Sequence, residues 1–174
     1  MSTSAGPAPL VLETPRLLMT PLGSTRADEL AALYADPEVT RFLGPGPWDD
    51  AAVREQCHRF ERIWSDRGWG QSAVVEKASG LMIGRVGLHD WPAWGEVELG
   101  YVLARSAQGR GLATEASHAW LGWAAAHLDV DHLIAVIHPE NAASIRMASR
   151  LGFTLDRRDI TPQGVPALIY RRDT

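Results

Sequence analysis

The sequence holds one cysteine, Cys57, in 174 residues, so no disulfide can form within the chain and a reducing compartment is expected. It has no block of basic residues, and its formal net charge is −4. No nucleic-acid partner is therefore expected. No run approaches the roughly 20 apolar residues of a membrane-spanning helix, so no membrane partner is expected either. No N-terminal stretch joins a basic segment to an apolar one, and a cytoplasmic location is expected. The triphosphate-binding pattern GxxxxGK[ST] is missing, and so is HExxH. The six histidines show no ligand spacing, so no metal is expected. What remains is ordinary for a globular protein, with 45% hydrophobic and 22% charged residues in a length that fits one domain. The small, proline-bearing opening "MSTSAGPAP" makes residues 1–12 a flexible terminus by expectation, with the domain at 13–174.

"ETPRLLMTPL" (13–22) reads as a first strand limited by Pro15 and Pro21. "STRADELAALYADPEV" reads as a helix capped by Ser24 or Thr25, with Ala27, Leu30, Leu33 and Tyr34 on one face. The loop "FLGPGPWDD" (42–50) leads into a second amphipathic helix, whose buried stripe is Val53, Cys57, Phe60 and Trp64. No base is placed to activate Cys57, which reads as a packing residue. "QSAVVEK" and "LMIGRVGLH" form a hairpin, and "DWPAWG" (90–95) turns the chain into "EVELGYVLA". A helix with Leu112, Ala116, Ala119, Trp120, Trp123 and Ala124 on one face follows. The continuous apolar run "HLIAVIH" is then a strand buried on both sides. A short helix capped by Asn141 and ended by Gly152 precedes a closing hairpin. The order β-α-α-β-β-β-α-β-α-β-β is that of a mixed α/β (α+β) sheet and not of a doubly wound parallel one.

"QGRGLAT" (108–114) joins a strand to a helix. Its glycines and the small Ala113 let backbone approach a ligand, and the free N–H groups of a helix start bind anions. Arg110 adds a charge suited to a phosphate. A dinucleotide fingerprint needs an acid roughly 20 positions on, at the carboxyl end of the next strand. Asp131 has the distance but precedes its strand, so that reading is disfavoured. Taken alone, the segment leaves open another pyrophosphate ligand or a bare tight turn.

Gln108, Gly111 and Ala113 fit the pattern [RQ]xxGx[GA], and "HPENAASIRMASRLGF" (138–153) fits NxxSxxxxxxLGF. With one helix and one strand between these motifs, the chain resembles the GNAT acetyltransferases from "LETPRLLMTPL" to "LIYRR". The stretches "VELGYVL", "GLATEA" and "NAASIRMASRLGF" are most similar to the RimJ/RimL group of N-terminal acetyltransferases. The resemblance implies a GNAT fold, with a mostly antiparallel twisted sheet splayed where acetyl-CoA binds. It implies acetyl transfer to a primary amine, on a protein N-terminus or a small molecule, by direct attack in a ternary complex. The alternative is a non-catalytic acyl-CoA-binding or sensor module. A homodimer is compatible with either.

The same resemblance implies the site. Backbone groups of Tyr101, Val102 and Leu103 would meet the pantetheine arm. Gln108, Gly109, Arg110, Gly111, Leu112, Ala113 and Thr114 would hold the pyrophosphate. Asn141 and Ser144 would lie beside the arm, with Ser144 nearest the sulfur. Glu98 stands at the glutamate of the family's E-[IL]-G-Y pattern and is the first candidate for the base. Glu96 shares its face by the strand period and is the reserve. Both also read as solvated strand residues paired with arginines. Tyr101's ring either lines the acetyl pocket or packs in the core. Many family members protonate the leaving thiolate with a tyrosine five residues before the phenylalanine of "LGF", where this chain has Ala148. Ser144 or a water then takes that role, or the thiolate leaves unaided. Trp48 and Trp91 lie in loops and suit the wall of an acceptor pocket.

Overall fold

Alternating strand patterns separated by two kinds of helix resolve into one sheet with helices on both faces. The computed structural model describes residues 10–174. Among these the elements run β1 (Leu12–Glu13), β2 (Leu17–Pro21), α1 (Ala27–Tyr34), α2 (Pro37–Thr40), α3 (Asp50–Arg67), β3 (Gln71–Glu76) and β4 (Met82–Trp91). They continue as β5 (Glu96–Leu103), α4 (Leu112–His127), β6 (His132–Ile137), α5 (Ala142–Arg150), β7 (Thr154–Ile160) and β8 (Pro166–Asp173). The eight strands lie in the order β1-β2-β3-β4-β5-β6-β8-β7. Every neighbouring pair is antiparallel except β5–β6. The mixed α/β arrangement expected from the element order is the one found.

The parallel pair carries the feature that makes a site. β4 and β5 stay in register from Trp91↔Glu96 to Gly84↔Leu103. β5 and β6 pair at a single position, Glu98↔Ile134. Beyond Glu98 the two strands part, and β5 offers one edge without a strand partner.

The faces are covered differently. On one, α4 lays Leu112, Ala116, Trp120 and Ala124 over Val86, Leu88, Leu99 and Leu103. On the other, Leu30 and Tyr34 of α1 and Val53, Cys57 and Phe60 of α3 cover Ala73 and Val102. Cys57 is fully buried, and burial pushes its thiol pKa up, away from nucleophilic thiolate.

Two local readings change. The expected strand 13–22 divides in two, because the chain turns at Thr14–Arg16, around Pro15. Ser24 does not cap α1; it starts a short 3₁₀ turn with Thr25, and its backbone N–H donates to Glu61 Oε1 at 2.7 Å. Pro37, which in the sequence reads as stopping the first helix or starting a new turn, opens α2, with Asp36 as its N-cap accepting from the Glu38 N–H at 3.0 Å. The flexible terminus expected at 1–12 lies, for its first nine residues, outside the described residues. Leu10 and Leu12 pack against the core. Among the described residues no helix is long and apolar enough to cross a membrane.

Candidate active site

A cleft of about 1210 Å³ opens where β5 and β6 part. Glu98 to Leu103, the turn residues 107–109 and 111–114, and Asn141, Ser144 and Met147 of the α5 region line it, with Trp48 and Trp91.

At one end is the glycine turn. Gly109 and Gly111 have φ of 72° and 75°, in the left-handed region that strains other residues. Gly111 is the N-cap of α4 and supplies no side chain. The first intrahelical bond runs from the Glu115 N–H to the Gly111 carbonyl at 3.0 Å. The N–H groups of Leu112, Ala113 and Thr114 therefore have no protein acceptor among the described residues, and they point out of a helix N-terminus. Glu115 would oppose an anion here, but Arg16 neutralises it: Arg16 Nε lies 2.6 Å from Glu115 Oε2. Burial works against ionising Glu115, and hydrogen bonds from Thr14 and Arg16 outweigh it, holding its pKa below the usual range. Arg16 also donates from Nη1 to the Arg110 carbonyl at 2.9 Å, which pins the turn to the N-terminal strand.

Arg110 itself does not line the cleft. Its guanidinium pairs with Glu76 of β3. Gln108 is likewise committed, donating from Nε2 to the Leu103 carbonyl at 3.0 Å. The cradle is made of backbone.

Along β5 the backbone alternates. The Ala104 N–H donates to the Ile83 carbonyl at 2.8 Å, so the even-numbered residues of this stretch turn their backbone groups to β4. Val102 is spent in that ladder. Tyr101 and Leu103 face the open edge. Of the three residues expected to meet the pantetheine arm, Tyr101 and Leu103 have backbone groups on the open edge, and the Leu103 carbonyl is already taken by Gln108.

The side chains of β4 and β5 build the other end of the cleft. Glu98 lies opposite His89 in the register and accepts a hydrogen bond at Oε2 from Trp91 Nε1, 2.7 Å away. Its Oε1 has no hydrogen-bond partner among the described residues. His89 packs edge-on to Trp91 at 5.1 Å. Burial lowers the pKa of His89, with Glu98 only partly opposing, so the ring is neutral near pH 7. Sequence reasoning passed over His89, although its place opposite Glu98 is readable once the hairpin register is known.

Glu96 is elsewhere. It does not line the cleft; Arg157 of β7 grips it, Nη2 to Oε2 at 2.6 Å, and His132 Nε2 stands 3.2 Å from Oε1. The hydrogen bond from Arg157 is the main cause of its lowered pKa. A carboxylate held this way is a poor proton acceptor. The period of two does put Glu96 and Glu98 on one face, but an arginine from the far hairpin separates their chemistry.

Between the two ends, α5 approaches β5. Asn141 caps α5, its Oδ1 accepting from the Ser144 N–H at 3.1 Å. Ser144 Oγ donates to the Tyr101 hydroxyl at 3.1 Å, and that hydroxyl donates to the Ser144 carbonyl at 3.1 Å. Burial raises the Tyr101 pKa, so the phenol keeps its proton. Ala148 is fully buried. Trp48 packs edge-on to Tyr34 at 5.3 Å, and Phe42 stacks on His138 at 5.1 Å, joining the loop after α2 to the end of β6.

The sequence profile of the acetyltransferase (GNAT) domain matches residues 16–154. The chain belongs to the GNAT acetyltransferase family. It is 27% identical over 144 residues to the uncharacterised N-acetyltransferase p20 of Bacillus licheniformis, covering 82% of this chain and 81% of that one. A crystal structure of an acetyltransferase from Agrobacterium tumefaciens is 28% identical, with a TM-score of 0.83 and 100% of both chains covered. The ribosomal-protein-S5-alanine acetyltransferase of Vibrio fischeri shares the fold, at 15% identity and a TM-score of 0.76 over 94% of this chain and 96% of that one.

GNAT proteins use acetyl-CoA as co-substrate, and the cleft suits that molecule. Three unpaired N–H groups and two left-handed glycines fit a pyrophosphate. The free edge of β5 fits an amide-bearing arm. The neutral Tyr101–Ser144 pair lies between the cradle and Glu98 along the lining. Among the described residues no group of three or more His, Cys, Asp or Glu is placed to hold a metal ion.

Proposed function

We propose that residues 13–174 work as one domain that moves an acetyl group from acetyl-CoA to a primary amine by direct attack in a ternary complex. The observation that carries this is Glu98: a carboxylate in the cleft, with one oxygen fixed by Trp91 and the other free. The backbone of Leu112, Ala113 and Thr114 holds the pyrophosphate. Tyr101 N–H, on the open edge of β5, polarises the thioester carbonyl. Glu98 Oε1 takes the proton of the incoming ammonium, directly or through water. The amine nitrogen then bonds to the thioester carbon, the C–S bond breaks, Tyr101, backed by Ser144, gives a proton to the departing thiolate, and the second proton shed by the nitrogen restores the phenol through water. No enzyme nucleophile takes part, in keeping with the buried Cys57. The acceptor is a protein N-terminus, as the likeness to RimJ/RimL sequences suggests, or a small amine. Coenzyme A release with a panel of amines separates this reading from that of a non-catalytic acyl-CoA sensor, which would bind acetyl-CoA and release nothing.

Two expectations follow from the cradle and the phenol. Acetyl-CoA at 100 times its Kd stabilises the fold by about 2.7 kcal/mol, whereas NADH and ATP do not. Equal thermal shifts for NADH would mean that the turn does not discriminate in favour of acetyl-CoA. Tyr101→Phe lowers kcat on the order of 10-fold at pH 7. That deficit shrinks above pH about 8.5, where a thiolate needs no proton to be a stable leaving group. A deficit independent of pH would assign Tyr101 to packing alone.

A further inference from the structure

The cleft holds a second set of unsatisfied groups that neither the cradle nor the base uses. Arg85 of β4 is half-buried and lines the cleft on the same face as His89. Its guanidinium lies over the rings of Phe60 and Tyr34, at 5.7 and 5.9 Å from their centroids. Its Nε donates to the Tyr34 hydroxyl at 2.6 Å and its Nη1 to Gln71 Oε1 at 2.8 Å. Among the described residues no carboxylate lies within salt-bridge distance of Arg85, and Nη2 donates to nothing. Arg59 and Arg150 also line the cleft, but both are exposed, where water satisfies a cation. A half-buried guanidinium held between two rings with no counter-ion is a different matter, because desolvating a charge without pairing it is costly.

Gln71 extends the set toward the base. It is 2% exposed, and among the described residues its Nε2 has no hydrogen-bond acceptor although its Oε1 is occupied by Arg85. A Cβ built on Gly100 would lie 3.4 Å from Gln71 Nε2 and 3.7 Å from Glu98 Oε1. The donor of Gln71 and the free oxygen of Glu98 thus flank one small space, kept open because residue 100 has no side chain. Gln56, which also lines the cleft, has a buried amide oxygen with no hydrogen-bond partner among the described residues. Beside Gly100 stand the Gln71 donor, backed by the Arg85 cation, and the free oxygen of the Glu98 anion. Such a wall is complementary to a small zwitterion.

We propose that the acceptor is an amine that carries a carboxylate a short distance from its nitrogen, with Arg85 and Gln71 receiving the carboxylate while Glu98 receives the amine. This rests on the amine-acetylation reading above and narrows its acceptor to amino-carboxylates. A peptide N-terminus, whose neighbouring carbonyl is neutral, leaves the charge of Arg85 unmatched.

The test compares α-, β- and γ-amino acids with their primary amides by coenzyme A release. Losing a hydrogen bond to a charged group is expected to lower kcat/KM for the amide by about 10-fold or more. In Arg85→Met and in Gln71→Leu that preference falls toward unity, while the acetyl-CoA thermal shift shows that each variant is folded. Amides or amidated peptides acetylated as well as the acids would overturn the proposal, and so would a preference unchanged in both variants. An amine bearing a phosphomonoester tests charge alone, and its being the faster acceptor would overturn the assignment to a carboxylate. If no amine is turned over, the acetylation reading fails. The subsite is then judged by calorimetry of the same amino acids and amides on the coenzyme A complex. Acid-selective, Arg85-dependent binding supports it, and its absence ends it.

Discussion

Glu98→Gln is expected to lower kcat on the order of 100-fold or more at neutral pH, the usual worth of a positioned general base. The substitution keeps the side chain's size, and an amide oxygen can still accept the Trp91 indole N–H that now reaches Oε2. What it loses is a proton acceptor. Acetyl-CoA binding should change little, because the cradle and the open edge of β5 are untouched. Activity should recover in part as pH rises, since a growing share of the acceptor amine is then already deprotonated; α-amino groups titrate near pH 8 and side-chain amines above 10. Glu96→Gln makes the informative comparison. Glu96 is held by Arg157 and His132 outside the cleft, so its loss should lower stability more than kcat. A wild-type kcat for Glu98→Gln would place the base elsewhere. Collapse of acetyl-CoA affinity in that variant would instead make Glu98 a support of the one β5–β6 strand pairing, at Glu98↔Ile134.

Gly111→Val is expected to raise the Kd for acetyl-CoA on the order of 100-fold or more. The cause lies in the backbone. At φ 75° a branched side chain is strained, whereas the space around a Cβ there is ordinary, its one near neighbour being Arg16 Nη2 at 3.5 Å. Relieving that strain rotates residue 111 out of the left-handed region and turns the N–H groups that follow away from their common focus. Losing two hydrogen bonds to a charged phosphate costs about 3–6 kcal/mol, which is a factor of about 100 or more. Arg110→Ala should change the Kd by only about 3-fold or less, because its guanidinium is engaged by the buried Glu76, outside the cleft. Isothermal titration of both variants decides the point. If Arg110→Ala is the more damaging, a side-chain clamp and not the backbone holds the pyrophosphate.

Much of the site was legible because its parts are local. A glycine that must take positive φ, a helix start without a capping side chain and an Asn three residues before a Ser are all relations within one turn of chain. The element order was legible for the same reason, since the periods of two and 3.6 are short-range signals. The same locality explains the misreadings. Pro15 inside "ETPRLLMTPL" read as the edge of one strand, whereas it marks a turn between two. Ser24 read as a cap, whereas Glu61, 37 positions away, takes its donors.

By itself the sequence determined the mixed sheet, the backbone cradle at Gly109–Thr114, the cap at Asn141 and the presence of Glu98 on the strand that enters the turn. Only the tertiary structure decided which of two neighbouring carboxylates is free, because Arg157, which claims Glu96, is 61 residues away. It sent Arg110 to Glu76 across 34 residues and set the Tyr101 hydroxyl on Ser144 across 43. It also left Arg85 without a counter-ion beside Gln71. Charges and hydroxyls act over a few ångströms in any direction, while the periodicities that can be read along a chain report only which face a residue takes. The face of Glu98 was therefore written in its own segment, and its freedom was settled by strands that pair from elsewhere in the fold.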